Sequence, residues 1–353
     1  MSRRLSKGAA LAALVALMIP IAPADAGPTL QRRARVAASY LTAQQNEDGS
    51  FPGFSPLGST ADAVTSLVAV RRGPSSIEAA LDYLEAHVAE AETLGQKAKL
   101  VLAAVAGGRD PRDFGGQNLV QPLLDSEQES GQYGAPTPDD PFDGEVTDHV
   151  LVMLALAATP EADPSSNSIS WLVSAQCGDG GWQHTGPQAD NENRHCFTGN
   201  ADEDFFRSDT NTTSLAVQAI AAHPEATGPL ANNPFRFFRN IRDPRKNGWG
   251  YSWDLRLTDT NSTALVIQAY VAYGRALPDG AMKALKSLQH RLCGDAASAG
   301  GFAYTWEPRQ GGGYRKGAPD AGATIAAIPG LLKRAFPIEF AEVTKPAPGI
   351  SGC

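Results

Sequence analysis

Sulfur is scarce in this chain, with four cysteines and four methionines among 353 residues. Charged residues make up only 19% of it, and acids outnumber bases 38 to 30. That balance excludes a polyanion as the natural partner, because nucleic-acid affinity rests largely on neutralising phosphates. No nucleic-acid partner is therefore expected. No CxxC pair occurs, so the usual zinc and redox spacings are missing. The Gly-x-Ser-x-Gly elbow of serine hydrolases is also missing, and no Ser–His or Cys–His motif points to nucleophilic catalysis. After residue 26 no second long apolar run is found, so no membrane span is expected in the mature chain.

The one such run is N-terminal. Arg3, Arg4 and Lys7 precede apolar Ala9 to Ile19, and Ala24-Asp25-Ala26 is a small-x-small cleavage site. Residues 1–26 read as a secretory signal, broken by Pro20 and Pro23 before it could span a bilayer. The expectation is a secreted, extracytoplasmic protein beginning at Gly27 and forming one domain over 27–353. Removing three positive charges and one negative (Asp25) takes the net charge from −8 to −10. In an oxidising compartment four cysteines suggest disulfides. Four allow three pairings. Cys177 and Cys196 flank one long polar loop, which favours joining them and leaves Cys293 with Cys353.

A unit recurs along the chain. Its first half ends in a glycine-aromatic turn: Gln45-Asn46-Glu47-Asp48-Gly49-Ser50-Phe51, and again Gln176-Cys177-Gly178-Asp179-Gly180-Gly181-Trp182. Looser copies are Gly131-Gln132-Tyr133, Asn247-Gly248-Trp249 and Gly300-Gly301-Phe302. Glycine there permits the left-handed turn that ends a helix. The second half opens with a cap. Ser208-Asp209-Thr210-Asn211-Thr212-Thr213 matches Thr258-Asp259-Thr260-Asn261-Ser262-Thr263, and both run into apolar helices ending Gln-Ala. Weaker copies start at Ser59-Thr60-Ala61-Asp62, Val146-Thr147-Asp148 and Pro319-Asp320. Asp, Thr and Asn are strong N-caps.

The helices that follow these caps are apolar all round, as in Leu151–Ala158 and Leu265–Ala272, which places them inside. The preceding ones, such as Ile77–Ala89 and Met282–Leu292, carry a one-sided apolar stripe and belong outside. Six outer–inner pairs result, at about 30–45 with 60–72, 77–89 with 93–107, 116–128 with 145–158, 166–176 with 209–223, 234–242 with 259–274, and 280–291 with 318–334. Such pairs bury their faces only against neighbours and predict an all-α, two-layered ring. An open solenoid would stack the same pairs.

These repeats resemble the prenyltransferase/squalene-oxidase repeat of the α/α6 toroid superfamily, which includes terpene cyclases, protein prenyltransferase β subunits, complement thioester domains and cobalamin carriers. Gln45 to Phe51 and Gln176 to Trp182 look like the cyclase QW motif. The cap segments at Asp209 and Asp259, with Gly107 to Val120, look more like the intrinsic factor/transcobalamin branch and its bacterial relatives. That branch implies a non-catalytic ligand-binding protein with a corrinoid as first candidate. The wider superfamily implies the alternatives of a divergent terpene cyclase or prenyltransferase-like enzyme, or a surface scaffold without ligand, and α/α toroids also host carbohydrate-active enzymes.

The catalytic signatures of those relatives are incomplete. Asp202-Glu203-Asp204-Phe205 lacks the last carboxylate of the Asp-x-Asp-Asp acid motif. Asp139-Asp140-Pro141-Phe142-Asp143 matches a class I metal motif in letters, but Pro141 breaks the helix face it needs. Cys177-Gly178-Asp179 and Cys293-Gly294-Asp295 fail the thioester pattern. His184 and His195 share a loop with Cys177 and Cys196, yet disulfide pairing competes with zinc there. Asp190, Glu192, Asp202 and Asp204 offer oxygen ligands at no EF-hand spacing. The expectation is therefore no catalytic residue and no resident metal.

A closed ring would gather the inner N-termini, with Asp62, Asp209, Asn211, Asp259, Asn261 and Asp320, onto one face. The loops add Trp182, Trp249, Tyr251, Trp253, Tyr304 and Trp306. Of these, Asp209, Asn211, Asp259, Asn261, Trp182, Trp249, Tyr251 and Tyr304 are the candidate ligand-binding residues. Asn211 and Asn261 also begin Asn-x-Thr sequons, for which a place at a helix start is the simpler explanation.

Overall fold

The computed structural model describes residues 26–134, 146–184, 207–223, 230–295 and 297–349. Among them the chain forms six pairs of helices. The pairs are α1 (Pro28–Thr42) with α2 (Pro56–Val70), α3 (Pro74–Ala86) with α4 (Leu94–Gly107), and α5 (Val120–Asp125) with α6 (Val146–Ala158). They continue with α7 (Ser166–Ser174) and α8 (Thr210–Ala222), α9 (Pro234–Ile241) and α10 (Thr260–Ala272), and α11 (Ala281–Leu288) and α12 (Ala321–Leu332).

The even-numbered helices are the apolar ones, and the structure puts them inside. Each packs on the next, from α2 through α4, α6, α8 and α10 to α12, and α12 packs back on α2 and α1. The ring is closed, as an α/α6 toroid requires; the open solenoid is excluded. At the seam Ser66 Oγ donates to the Ile325 carbonyl at 2.8 Å, wholly buried.

The turn motif builds this ring by the same contacts in several repeats. Gln45 Nε2 donates to Gly49 O in its own turn and to Ser76 O at the start of α3. Gln176 does the same to Gly180 O and to Asn232 O before α9. Gln289 donates to Gly300 O and to Arg33 O in α1, so the last repeat grips the first helix. The turn glycines adopt positive φ and lie against the following outer helix; at Gly300, φ is +82° and a Cβ would fall 2.7 Å from Val36 O. Next, the aromatic's backbone amide donates to a threonine hydroxyl of the inner helix: Phe51 to Thr60, Trp182 to Thr213, Trp249 to Thr263 and Phe302 to Thr324. In the third repeat His149 Nδ1 takes the hydroxyl's place and accepts from Tyr133 N at 3.0 Å.

Short ribbons, not expected from the sequence, tie turn to cap. Strand β1 (Trp182–Gln183) pairs antiparallel with β2 (Ser208–Asp209), placing Trp182 opposite Asp209. β3 (Phe302–Ala303) pairs likewise with β6 (Pro319–Asp320), enclosing the hairpin of β4 (Trp306–Pro308) and β5 (Tyr314–Lys316).

Beyond α12 the chain has no regular structure but is anchored across the C-terminal ends of the inner helices. Gln268 Nε2 donates to Arg334 O at 2.9 Å, and Phe336 N donates to Gln218 Oε1 at 2.9 Å. Gly73 N then holds Lys345 O, and Ser39 Oγ donates to Pro348 O. Gln218 and Gln268 are the matching glutamines of the two best cap repeats, and both are buried. Cys177 and Cys293 are disulfide-bonded; their expected partners Cys196 and Cys353 lie outside the described residues. No helix among the described residues is long and apolar enough to cross a membrane.

Because Gln289 satisfies one carbonyl in its own turn and one across the seam, Gln289→Ala should cost about 2–3 kcal/mol, the loss expected when buried acceptors are left unmet. Gly300→Ala should cost more, since the added methyl meets backbone at a strained φ. Urea unfolding should show lower midpoints with little change in slope; wild-type midpoints in both variants would show that the seam carries no stability.

Candidate functional site

Because all six inner helices run the same way, their first turns converge on one opening. Behind it lies a central cavity of about 680 Å³. Its mouth is polar, with Asp62, Lys99, Thr147, His184, Asn211 and Asn261 on the wall. Its depth is apolar, with Leu102, Leu151, Leu154, Leu215, Leu265 and Ile325. Phe336 of the C-terminal tail lines the far end, where Gln218 fixes its backbone. A pocket with apolar walls and a few placed polar groups is the usual form of a small-molecule site.

The polar groups at the mouth are not equivalent. Asp62 lies inside α2 rather than at its cap, which is Ser55, and its Oδ2 accepts from Lys99 Nζ at 2.8 Å. His184 Nδ1 is 2.7 Å from Thr147 Oγ1, which in turn is 3.0 Å from Thr212 Oγ1. Asn211 and Asn261 occupy matching positions in α8 and α10. Their Oδ1 atoms are buried and accept no hydrogen bond among the described residues. A buried acceptor left unmet costs about 1–3 kcal/mol, so the matched pair is a local cost that the two repeats share.

Asp209 and Asp259 turn out to be caps beneath the wall and do not line the cavity. Asp209 Oδ1 accepts from Asn211 N and Thr212 N, each at 2.8 Å. Asp259 Oδ1 accepts from Ser262 N at 2.7 Å and its Oδ2 from Ser262 Oγ at 2.9 Å. Both are almost wholly buried. Burial pushes Asp209 up to about 6 and Asp259 up to about 7 against the opposing pull of those hydrogen bonds. A helix N-terminus favours the anion by only about 0.3–2 kcal/mol, less than the several kcal/mol it costs to desolvate a carboxylate. Burial wins.

Other expected site residues are also displaced. Trp182 and Trp249 are fully buried, and each indole nitrogen donates to its own outer helix, at Leu172 O and Phe238 O. They staple the turn to the core and do not face the cavity. This corrects the expectation that they bind ligand. Tyr251 does line the cavity. Tyr304 sits half-exposed outside the lining, its hydroxyl pushed up to about 12 by burial and by the charges of Asp259 and Asp320. Lys246 Nζ lies 4.0 Å from the Trp306 ring, outside the cavity. Among the described residues no His/Cys/Asp/Glu group could hold a metal. Asp139 to Asp143, the loop 190–204 and His195 lie outside the described residues.

The raised acid gives a pH signature. Between about pH 4 and 7 native Asp259 holds a proton that the unfolded chain has released, so its contribution makes stability fall as pH rises. Asp259→Asn keeps a capping oxygen and removes the titration. The wild-type-minus-variant stability difference should fall over that window by up to about 1.4 kcal/mol per pH unit. A flat difference from pH 4 to 7 in denaturant titrations would show that Asp259 titrates normally.

No family model and no curated protein matches the chain. Solved structures do match. An inactive variant of the α-1,6-mannanase GH76A of Salegentibacter, bound to α-1,6-mannotriose, aligns with TM-score 0.55 at 12% identity over 86% of this chain and 98% of its own. A variant of the type II terpene cyclase MstE from Scytonema, bound to its substrate geranylgeranyl dihydroxybenzoate, aligns with TM-score 0.56 at 15% identity over 86% and 97%. A protein from Actinoplanes aligns with TM-score 0.56 at 15% identity over 86% and 99%. At such identities the likeness establishes the fold: the chain shares the α/α toroid of these proteins.

Proposed function

We propose that this protein is an exported, non-catalytic binder of an amphiphilic small molecule, held in the central cavity. The apolar body lies along the ring axis against Leu102, Leu154, Leu215 and Leu265, and its polar end meets the side chains of Asn211 and Asn261 at the mouth. The observation that carries this reading is the cavity's polarity gradient, with Asp62, Lys99, Thr147, His184 and the two asparagines at one end and leucines at the other. Of the two ligands held by the structural neighbours, one is a sugar and one is a prenylated aromatic acid. The gradient here favours the second kind. Binding without turnover is supported by the state of the two acids with raised pKa, whose oxygens cap α8 and α10 below the wall. The N-terminal signal pattern supports export. A corrinoid remains a ligand to test, and no residue of the lining selects it.

Geranylgeraniol, which joins an isoprenoid body to one hydroxyl donor, is the first probe; mannotriose and cobalamin are the comparison arms. Geranylgeraniol should raise the melting temperature and copurify on gel filtration. Leu265→Trp should block the cavity and abolish the shift. The Asn211→Ala/Asn261→Ala pair should weaken binding about tenfold, the worth of one or two hydrogen bonds. Binding of mannotriose or cobalamin alone, or a Leu265→Trp protein that binds geranylgeraniol like wild type, would overturn the proposal.

A further inference from the structure

The opposite end of the ring carries a second cavity, of about 400 Å³. It lies between the first turns of α1, the C-terminal ends of α2 and α12, and the returning tail. Its wall holds Arg35, Arg71, Arg72, Arg334 and Lys345, with Glu342 the only carboxylate among the described residues. The chain as a whole is acidic, at −8, so this convergence runs against its composition.

Cations at helix C-termini are favourable, and that effect must be counted first. Each C-terminus is equivalent to roughly half a negative charge. Counting only Arg35, Arg71, Arg72 and Lys345, the ends of α2 and α12 together offset about one of the three net positive charges, four cations less Glu342. About two remain. Among the described residues no ion pair engages Arg35, Arg71, Arg72 or Lys345. The Arg72 guanidinium instead donates to the neighbouring Arg71 carbonyl at 2.8 Å. Burial, and then the charge of Arg35, lower its pKa. The fold thus holds like charges together around a concave space at an electrostatic cost, which an occupying anion would remove.

We propose that this cavity is an anion site for a soluble small molecule carrying a diphosphate group, with Arg35 and Arg72 as its principal ligands. Guanidinium forks match phosphate oxygens in pairs. A group with two or three charges balances the surplus, which a monoanion does not. The site sits at the other end of the inner helices from the mouth of the central cavity, so it stands or falls independently of the amphiphile reading.

The test is calorimetric titration of the purified protein with inorganic pyrophosphate and, separately, inorganic phosphate, at low and at physiological salt. Saturable binding of pyrophosphate is expected at both, at least tenfold tighter than phosphate. Arg35→Gln/Arg72→Gln should weaken it at least tenfold, while Arg236→Gln/Lys283→Gln, an equal charge loss on exposed positions of α9 and α11, should leave it unchanged. Should the first pair not fold, as read by circular dichroism, Lys345→Gln on the exposed tail should still weaken binding about threefold. Three results would overturn the proposal: no saturable binding at physiological salt, equal losses in both double variants, or sedimentation with phosphatidylglycerol vesicles without binding of soluble pyrophosphate.

Discussion

A glutamine at the end of an outer helix donates to two carbonyls at once, one in its own turn and one in the next outer helix. The rest of the architecture depends on that double contact. In Gln45 and Gln176 it passes each repeat on to its neighbour. In Gln289 the neighbour is α1, some 250 residues earlier in the chain, and a row of hairpins becomes a ring. The turn glycines matter for the same reason: at Gly49, Gly131, Gly180 and Gly300 a Cβ would strike the start or backbone of the following helix, and where Asn247 takes the same left-handed position it packs against Gly280 before α11.

Closure creates the space that function can use. Six parallel inner helices leave an axial hollow, and their direction makes its two ends chemically different. At the N-terminal end the caps consume Asp209 and Asp259, which leaves the asparagines two positions later on the cavity wall. At the C-terminal end the repeat glutamines Gln218 and Gln268 hold the tail, and Phe336 becomes the floor. The same tail, continuing to Lys345, forms one wall of the basic cavity. One strap thus shapes both spaces.

The likeness to a mannanase and to a terpene cyclase shows how permissive this scaffold is. A toroid supplies an axial pocket, and the residues on its wall decide what enters. Here the wall is apolar in depth, and among the described residues Asp62 pairs on it with Lys99. An apolar wall leaves a sugar's hydroxyls unpaired, whereas a hydrocarbon loses no hydrogen bond against leucine.

The amino-acid sequence by itself determined the six helix pairs, their assignment to inner and outer layers, and the capping role of the Asp-Thr-Asn segments, because caps, turns and apolar periodicity are local. It brought Asn211, Asn261 and Tyr251 to notice through the repeat. It misplaced Trp182 and Trp249, because an aromatic beside a glycine turn reads alike whether its ring points to the axis or into the interlayer core. Leu215 and Leu265 were also out of reach: a helix apolar on all sides carries no periodic mark of the face turned to the axis. Only the tertiary structure decided ring closure, the pairing of Asp62 with Lys99, the burial that raises Asp259, and the return of the tail under the ring. Each depends on contacts between residues far apart in the chain, whose distances no local pattern encodes.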